Sequence, residues 1–283
     1  MSASIGIVVD SACDTPSDWR YRHRVHVIPL HIIFGDEDYL DGVEMTQEAF
    51  YRRIAQTGMI PKTSQPSPGE FADLYRRLAA QYDAIISIHL GAKLSGTYQS
   101  AVLGAQMVAD AIPVYPFDSG SGSAGAGFMA DEALSMIDNG ATPEAILQRL
   151  EILRERIRIF LTPRDLTFPR MSGRVNAISA FIASVLHITP IVVLTDGELV
   201  ASERARSRKQ AIRKIVQMTK AAVGDGPASV AIIHSQAPQD VDRFKQALLS
   251  TFQPQRLWIA GLSSPVAAHL GPGTIGIVCY RTD

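Results

Sequence analysis

Three short turns concentrate side chains able to grip an anion: Thr63-Ser64-Gln65-Pro66-Ser67, Leu94-Ser95-Gly96-Thr97-Tyr98 and Ala268-His269-Leu270-Gly271-Pro272-Gly273. The first two stand where the pattern predicts helix entrances, and the second follows an apolar strand. Hydroxyls and the free amides of helix N-termini then point into one crevice beyond the strand ends. That is a receptor for an anionic oxygen, most simply a carboxylate. Each Ser or Thr also fits the plain role of a helix cap.

The same residues allow a second chemistry, a small esterase with Ser95 as nucleophile and His269 as base. The Gly-x-Ser-x-Gly elbow is absent, because Lys93-Leu94 precede Ser95 and Gly96-Thr97 follow it. No acid stands beside His269 to orient it. Hydroxyls can bind a carboxylate without reacting, so binding is favoured over hydrolysis. A third chemistry is nucleotide binding at Gly120-x-Gly122-x-x-Gly125, between a strand and a helix. Against it, the strand is a late one, and Asp138 falls at a helix end rather than a strand end. A flexible small-residue turn at a sheet edge is the competing account.

The seven histidines are scattered, with no His-Glu-x-x-His and no nearby Cys pair, which argues against a metal site. The run Arg204-Ala205-Arg206-Ser207-Arg208-Lys209 lies at a predicted helix start. Cations are mildly unfavourable there, so docking of phosphate or an acidic partner competes with an ordinary solvated face.

These turns need a frame, and 283 residues supply one large domain or two ordinary ones. Short apolar runs alternate with helical patterns, as in strands joined by crossover helices. Strands are predicted at 5–9, 25–34 (bent at Pro29), 84–89, 114–117 and 157–161. Ser67-Pro68-Gly69-Glu70 is a capping box that starts a helix, and further helices cover 98–111 and a stretch ending near 156. The stretch 162–174 is poorly periodic, which places a domain boundary at its start and gives units 1–161 and 162–283. Beyond it, Asp196-Gly197 between two apolar runs signals a tight hairpin. Helices at 205–222 and 239–250 and strands at 230–234, 257–259 and 275–279 follow. The fold class is α/β in two domains, the first a mostly parallel sheet with flanking helices, the second a mixed sheet with helices.

Composition narrows the partners. With 27 Lys+Arg against 28 Asp+Glu, nothing attracts nucleic acid or anionic lipid globally. No run reaches the roughly 18 apolar residues of a membrane span, and the N-terminus lacks the pattern of a signal peptide. Two cysteines at opposite ends fit a reducing, cytoplasmic setting.

At this point the chain resembles the DegV family. The resemblance lies in Asp10-Ser11-Ala12-Cys13-Asp14, Ile28-Pro29-Leu30 with Asp41-Gly42, Lys62-Thr63-Ser64-Gln65-Pro66-Ser67, Leu94-Ser95-Gly96-Thr97-Tyr98-Gln99-Ser100-Ala101, Asp118-Ser119, Ser172-Gly173-Arg174-Val175 and His269-Leu270-Gly271-Pro272-Gly273. The motifs keep the family's order across the chain. The resemblance implies a lipid-binding protein that clasps one long-chain fatty acid such as palmitate between two domains. It needs no cofactor and no metal. It implies an accessory subunit, not itself an enzyme, of a fatty acid kinase whose catalytic partner makes an acyl phosphate for phospholipid synthesis. On that pattern Thr63 and Ser95 hold the carboxylate, Ser64, Arg174 and His269 support it, and Gly96 and Thr97 complete the turn. The sequence departs at Gly91-Ala92, where serines are common, and at His187-Ile188-Thr189-Pro190, which lacks a lysine. The apolar segment 177–186 is the candidate tunnel wall, with ordinary core as the alternative.

Overall fold

Strand β1 (Ile5–Asp10) is buried at every position, the pattern of a strand covered on both faces. It lies between β2 (Val25–Ile28) and β6 (Ala84–His89), with β7 (Val114–Asp118) beyond β6, all parallel. The computed structural model describes residues 4–176 and 188–283. One face of this sheet packs on α2 (Pro68–Leu78) and α3 (Thr97–Gln106) through Phe71, Tyr75 and Ala101. The capping box at Ser67 and Glu70 closes as expected. The other face packs on α4 (Ala124–Asp138) and α5 (Pro143–Arg156).

A second, seven-stranded sheet lies across α4 and α5. Its strands are β8 (Arg158–Thr162), β9 (Val175–Asn176), β10 (Thr189–Thr195), β11 (Glu198–Ala205), β12 (Ala228–His234), β13 (Arg256–Gly261) and β14 (Ile275–Arg281), in the order β13-β12-β14-β8-β10-β11-β9. The sheet is mixed: β12 is parallel to β13 and antiparallel to β14. Its outer face carries α7 (Arg208–Val223) and α8 (Pro238–Leu249). Phe128 of α4 stacks on Trp258 at 4.4 Å, so the central helices serve both sheets in one continuous core. The layers run helix, sheet, helix, sheet, helix. At the β10–β11 hairpin Asp196 and Gly197 both have positive φ, 51° and 77°, as the tight turn requires.

Several elements differ from the sequence reading. Strand β8 pairs with β14 and β10, so the expected boundary after residue 161 leaves in the first unit a strand of the second sheet; division by sheet falls between α5 and β8. Residues 25–34 form two strands in different sheets. Beyond the break at Pro29-Leu30, β3 (His31–Phe34) joins β4 (Glu37–Leu40) and β5 (Lys62–Ser64) in a small antiparallel sheet. Helices α1 (Gln47–Thr57), α6 (Thr167–Ser172) and α9 (Ser264–Leu270) were not expected.

The glycine-serine stretch follows the edge strand β7, as expected, and is closely packed. Ser119, Ser121 and Ser123 are buried, and a Cβ on Gly125 would lie 2.1 Å from the Ser121 hydroxyl. The small residues let α4 enter between the sheets, and that close packing rules against the nucleotide reading. No helix among the described residues is long and apolar enough to cross a membrane. The expected tunnel wall, 177–186, lies outside the described residues, as does His187.

Candidate functional site

The three hydroxyl and histidine turns converge on a narrow cavity of about 70 Å³ in the seam between the units. The first unit lines it with the apolar Ala12, Leu30, Leu90 and Leu94, the second with Leu199, Pro265, Val266 and Leu270. The polar lining is Thr63, Gln65, Ser95, Arg174 and His269. Sites that enclose a whole small ligand run to roughly 300–1,000 Å³. A space this size takes a head group and the first few carbons of a chain.

Thr63 is displayed by strand β5, opposite Ile32 of β3, and not by a helix entrance as the pattern suggested. Successive strand side chains point to opposite faces. Accordingly Thr63 and Gln65 line the cavity, while the Ser64 hydroxyl donates to the Gln65 carbonyl at 3.4 Å and is not in the lining. Gln65 was missed, although its spacing of two from Thr63 was the available signal. Gly96 explains its approach: a Cβ there would lie 3.0 Å from Gln65 Nε2.

Ser95 sits on a tight loop after β6, whose start is pinned. Leu90 donates its N–H to Asp10 Oδ2 at 2.8 Å, and Gly91 donates to the Ser121 carbonyl at 2.7 Å. The Ser95 hydroxyl lies 2.9 Å from the Thr97 hydroxyl and accepts the Thr97 N–H at 3.3 Å. Thr97, fully buried, lies behind Ser95 and does not line the cavity.

His269, on α9, places Nε2 2.8 Å from Thr63 Oγ1, joining the two units across the cavity. Its Nδ1 is buried without a partner among the described residues. Burial, with Arg174 adding to it, pushes the imidazole down to about 4, so it is neutral at ordinary pH. When Nε2 carries the proton, His269 donates to Thr63 and leaves the threonine O–H free to donate elsewhere. Arg174 is exposed at the mouth, donates to the Ser172 carbonyl at 3.0 Å, and is tied through the Ser172 hydroxyl to the His269 carbonyl at 3.4 Å. The cavity can therefore offer two hydroxyl donors, backed by a neutral imidazole and a nearby cation, to one anionic oxygen pair.

The arrangement does not favour an esterase. His269 is paired with Thr63 and Ser95 with Thr97, and the depressed imidazole is a weak base. An Asp–His–Ser line does exist: His89 Nδ1 lies 3.2 Å from Asp10 and its Nε2 2.6 Å from Ser87, which meets the Tyr75 hydroxyl at 2.8 Å. Asp10, His89 and Ser87 are 1%, 0% and 0% exposed, so this line is a sealed core network beneath the Ser95 loop. No group of three His, Cys, Asp or Glu that could hold a metal occurs among the described residues.

The basic run is dismantled in part. Arg208 turns inward, paired with Asp240 at 3.0 Å and donating to the carbonyls of Thr162 and Gly273. Arg206 and Lys209 remain exposed.

The chain is similar to known proteins over nearly its whole length. The chain is 34% identical over 281 residues to Protein DegV of Bacillus subtilis, covering 98% of this chain and 100% of that one. Its fold matches a fatty-acid-binding DegV family protein of Thermus thermophilus with a TM-score of 0.90 at 32% identity, covering 98% and 99% of the two chains. It also matches a stearic acid-binding protein of Eubacterium ventriosum with a TM-score of 0.90 at 25% identity, covering 98% of each. The DegV family model spans residues 4–282. With near-complete coverage in sequence and fold, the chain belongs to the DegV family.

Proposed function

We propose that this protein binds one long-chain fatty acid in the seam, with its carboxylate on the Thr63 and Ser95 hydroxyls, and presents it to a kinase partner for acyl-phosphate formation. The observation that carries the reading is the polarity of the cavity: Thr63, Ser95 and His269 share it with eight apolar side chains from the two units. Supporting it, a DegV family protein of Thermus thermophilus binds fatty acid and a structurally similar protein of Eubacterium ventriosum binds stearic acid. A chain of about 15 methylenes gains on the order of 12 kcal/mol gross from burial, less the cost of ordering it. The tail thus supplies most of the affinity, and the hydroxyls set the position of the carboxylate. The seam must widen to admit that tail. Denaturing extraction with mass spectrometry of the purified protein tests the reading, with a near-stoichiometric monocarboxylic lipid as the expected result. No extracted lipid, together with no uptake of added palmitate or oleate, overturns it.

The kinase step is the finer half. Exposed charges steer association at low salt, so reversing Arg206 and Lys209 should slow acyl-phosphate formation most at low ionic strength and leave lipid binding unchanged. Equal turnover across a salt series removes that docking face.

A further inference from the structure

Helix α9 supplies Pro265, Val266, His269 and Leu270 to the cavity, and is thus one of its walls. Its entry is held by a buried carboxyl from the other unit. Asp14 Oδ1 accepts the Ser263 N–H at 2.9 Å, and its Oδ2 accepts the Ser123 hydroxyl at 2.5 Å. Asp14 itself is fixed to the first unit. A Cβ on Gly127 would lie 2.4 Å from the Asp14 carbonyl oxygen, so the chain packs directly on α4. Ser123 holds φ at +51°, a conformation L-residues seldom adopt, as it points its hydroxyl at Asp14. Asp41, also buried, lies near enough to act on Asp14 electrostatically.

We propose that Asp14 is a proton-operated clasp on α9 that sets how far the cavity opens, the neutral carboxyl holding the wall closed and the charged one letting it part. The lipid consequence rests on the fatty-acid reading above; the clasp itself does not. The physical cause is that two carboxyls share a dry seam. The titratable groups facing Asp14 are Asp41 after β4, the adjacent Cys13 thiol and Tyr51 of α1, none of which brings a positive charge. Burial pushes Asp14 up to about 7, against the hydrogen bonds from Ser123 and Ser263 and with Asp41 adding to the rise. Burial likewise pushes Asp41 up to about 6.

A carboxyl that ionises late when closed and at its ordinary value, 3.8, when solvated favours the closed form by taking up a proton. That advantage is complete below the ordinary value and is lost as pH rises through about 7. Neutral Asp14 keeps both contacts, its own O–H then donating to Ser123 while its carbonyl oxygen accepts from Ser263. In the charged state the desolvated pair is relieved when α9 moves off and water enters.

Amide hydrogen exchange of α9 tests the clasp without any lipid. After correction for the intrinsic pH dependence of exchange, protection of the α9 amides should fall by up to about tenfold between pH 6 and 7 and level off above that. Asp14→Asn, which keeps both contacts in a neutral side chain, should hold high protection and lose most of the fall between pH 6 and 7, leaving only the smaller slope of Asp41, which is raised to about 6. Oleate dissociation from the same proteins supplies the second arm: faster at pH 8 than at pH 6 for the wild type, and much less pH-dependent for Asp14→Asn. Flat wild-type protection, or the same pH profile in both proteins, overturns the clasp. A pH-dependent helix in a protein that takes up no oleate supports the clasp and overturns the lipid reading instead.

Discussion

Two polar places in the seam between the two sheets are satisfied to different degrees. At one, Asp131 is 4% exposed and accepts the Trp19 indole N–H at 2.7 Å and a guanidinium bond from Arg256. Arg256 reaches Ser229 at 3.1 Å and the Tyr280 hydroxyl at 2.8 Å, and its plane lies 5.1 Å from the Trp258 and Phe128 rings. Charge meets charge there, and each donor named has its acceptor. At the other place the two partners of Asp14 are a hydroxyl and an amide, neither charged, and His269 Nδ1 has no partner among the described residues. A buried polar atom left short costs free energy. The first place therefore holds the units together, and the second keeps unused capacity for a ligand or a proton.

The largest effect expected from that contrast is on stability at the Arg256 end. Arg256→Ala leaves the Asp131 carboxylate buried without its cation, which should lower the unfolding free energy by about 3–5 kcal/mol. Urea denaturation reads the loss. Lipid content per folded molecule should be unchanged, and a parallel loss of lipid from still-folded protein would show that the two places are one functional unit.

The next effect is chiefly on binding and presentation. Thr63→Ala and Ser95→Ala remove hydroxyls that face the cavity but leave His269 Nε2 and the buried Thr97 hydroxyl short of a partner, so stability should fall by about 1–3 kcal/mol. Each carboxylate hydrogen bond is worth about 1.5–3 kcal/mol, a fraction of what the buried tail contributes. Lipid should stay bound with modestly reduced affinity. Acyl-phosphate formation should fall about a hundredfold, because misplacing the attacking oxygen is far more costly than losing one contact. Binding and kinase-dependent turnover measured on the same variants decide this, and undiminished turnover removes the head-group assignment.

What could be read from the residues follows the same division. The parallel first sheet was legible because its strands are continuous apolar runs between helical periods, and Asp196-Gly197 announced its hairpin. The small β3-β4-β5 sheet was not, since Glu37-Asp38-Tyr39-Leu40 lacks alternation, although Gly35-Asp36 is a two-residue hairpin signal. Helix α9 was missed because seven residues, Ser-Pro-Val-Ala-Ala-His-Leu, are too short to show a helical period. Thr63, Ser95 and His269 were legible as residue types that can hold an anion, and the cavity lining contains all three. Ser64 was named on the family resemblance and is not in the cavity lining. Asp14 was visible as part of a motif, yet only the packing of α4 against it reveals that its carboxyl spans the units.

The smallest effect is a pair of opposed slopes that separates the two titratable groups of the unsatisfied end. His269 is depressed from 6.5 to about 4. The unfolded chain therefore binds its proton first, and the folded state loses stability as pH falls from 6.5 toward 4. Asp14 is raised from 3.8 to about 7, so the folded state gains stability as pH falls through 7 toward 4. Each one-proton slope is at most about 1.4 kcal/mol per pH unit, and across their shared window they cancel. Wild-type stability should then be nearly indifferent to these two groups. Asp14→Asn should uncover the histidine slope, making the protein more acid-sensitive than the wild type below about pH 6.5. His269→Gln should uncover the carboxyl slope, with stability relative to wild type increasing on acidification. The double variant should restore the wild-type profile, because the other carboxylates are common to all four proteins. Thermal unfolding of the four proteins at several pH values reads the differences directly. Parallel profiles would mean that neither group feels the desolvation that distinguishes this end of the seam from the Arg256 end.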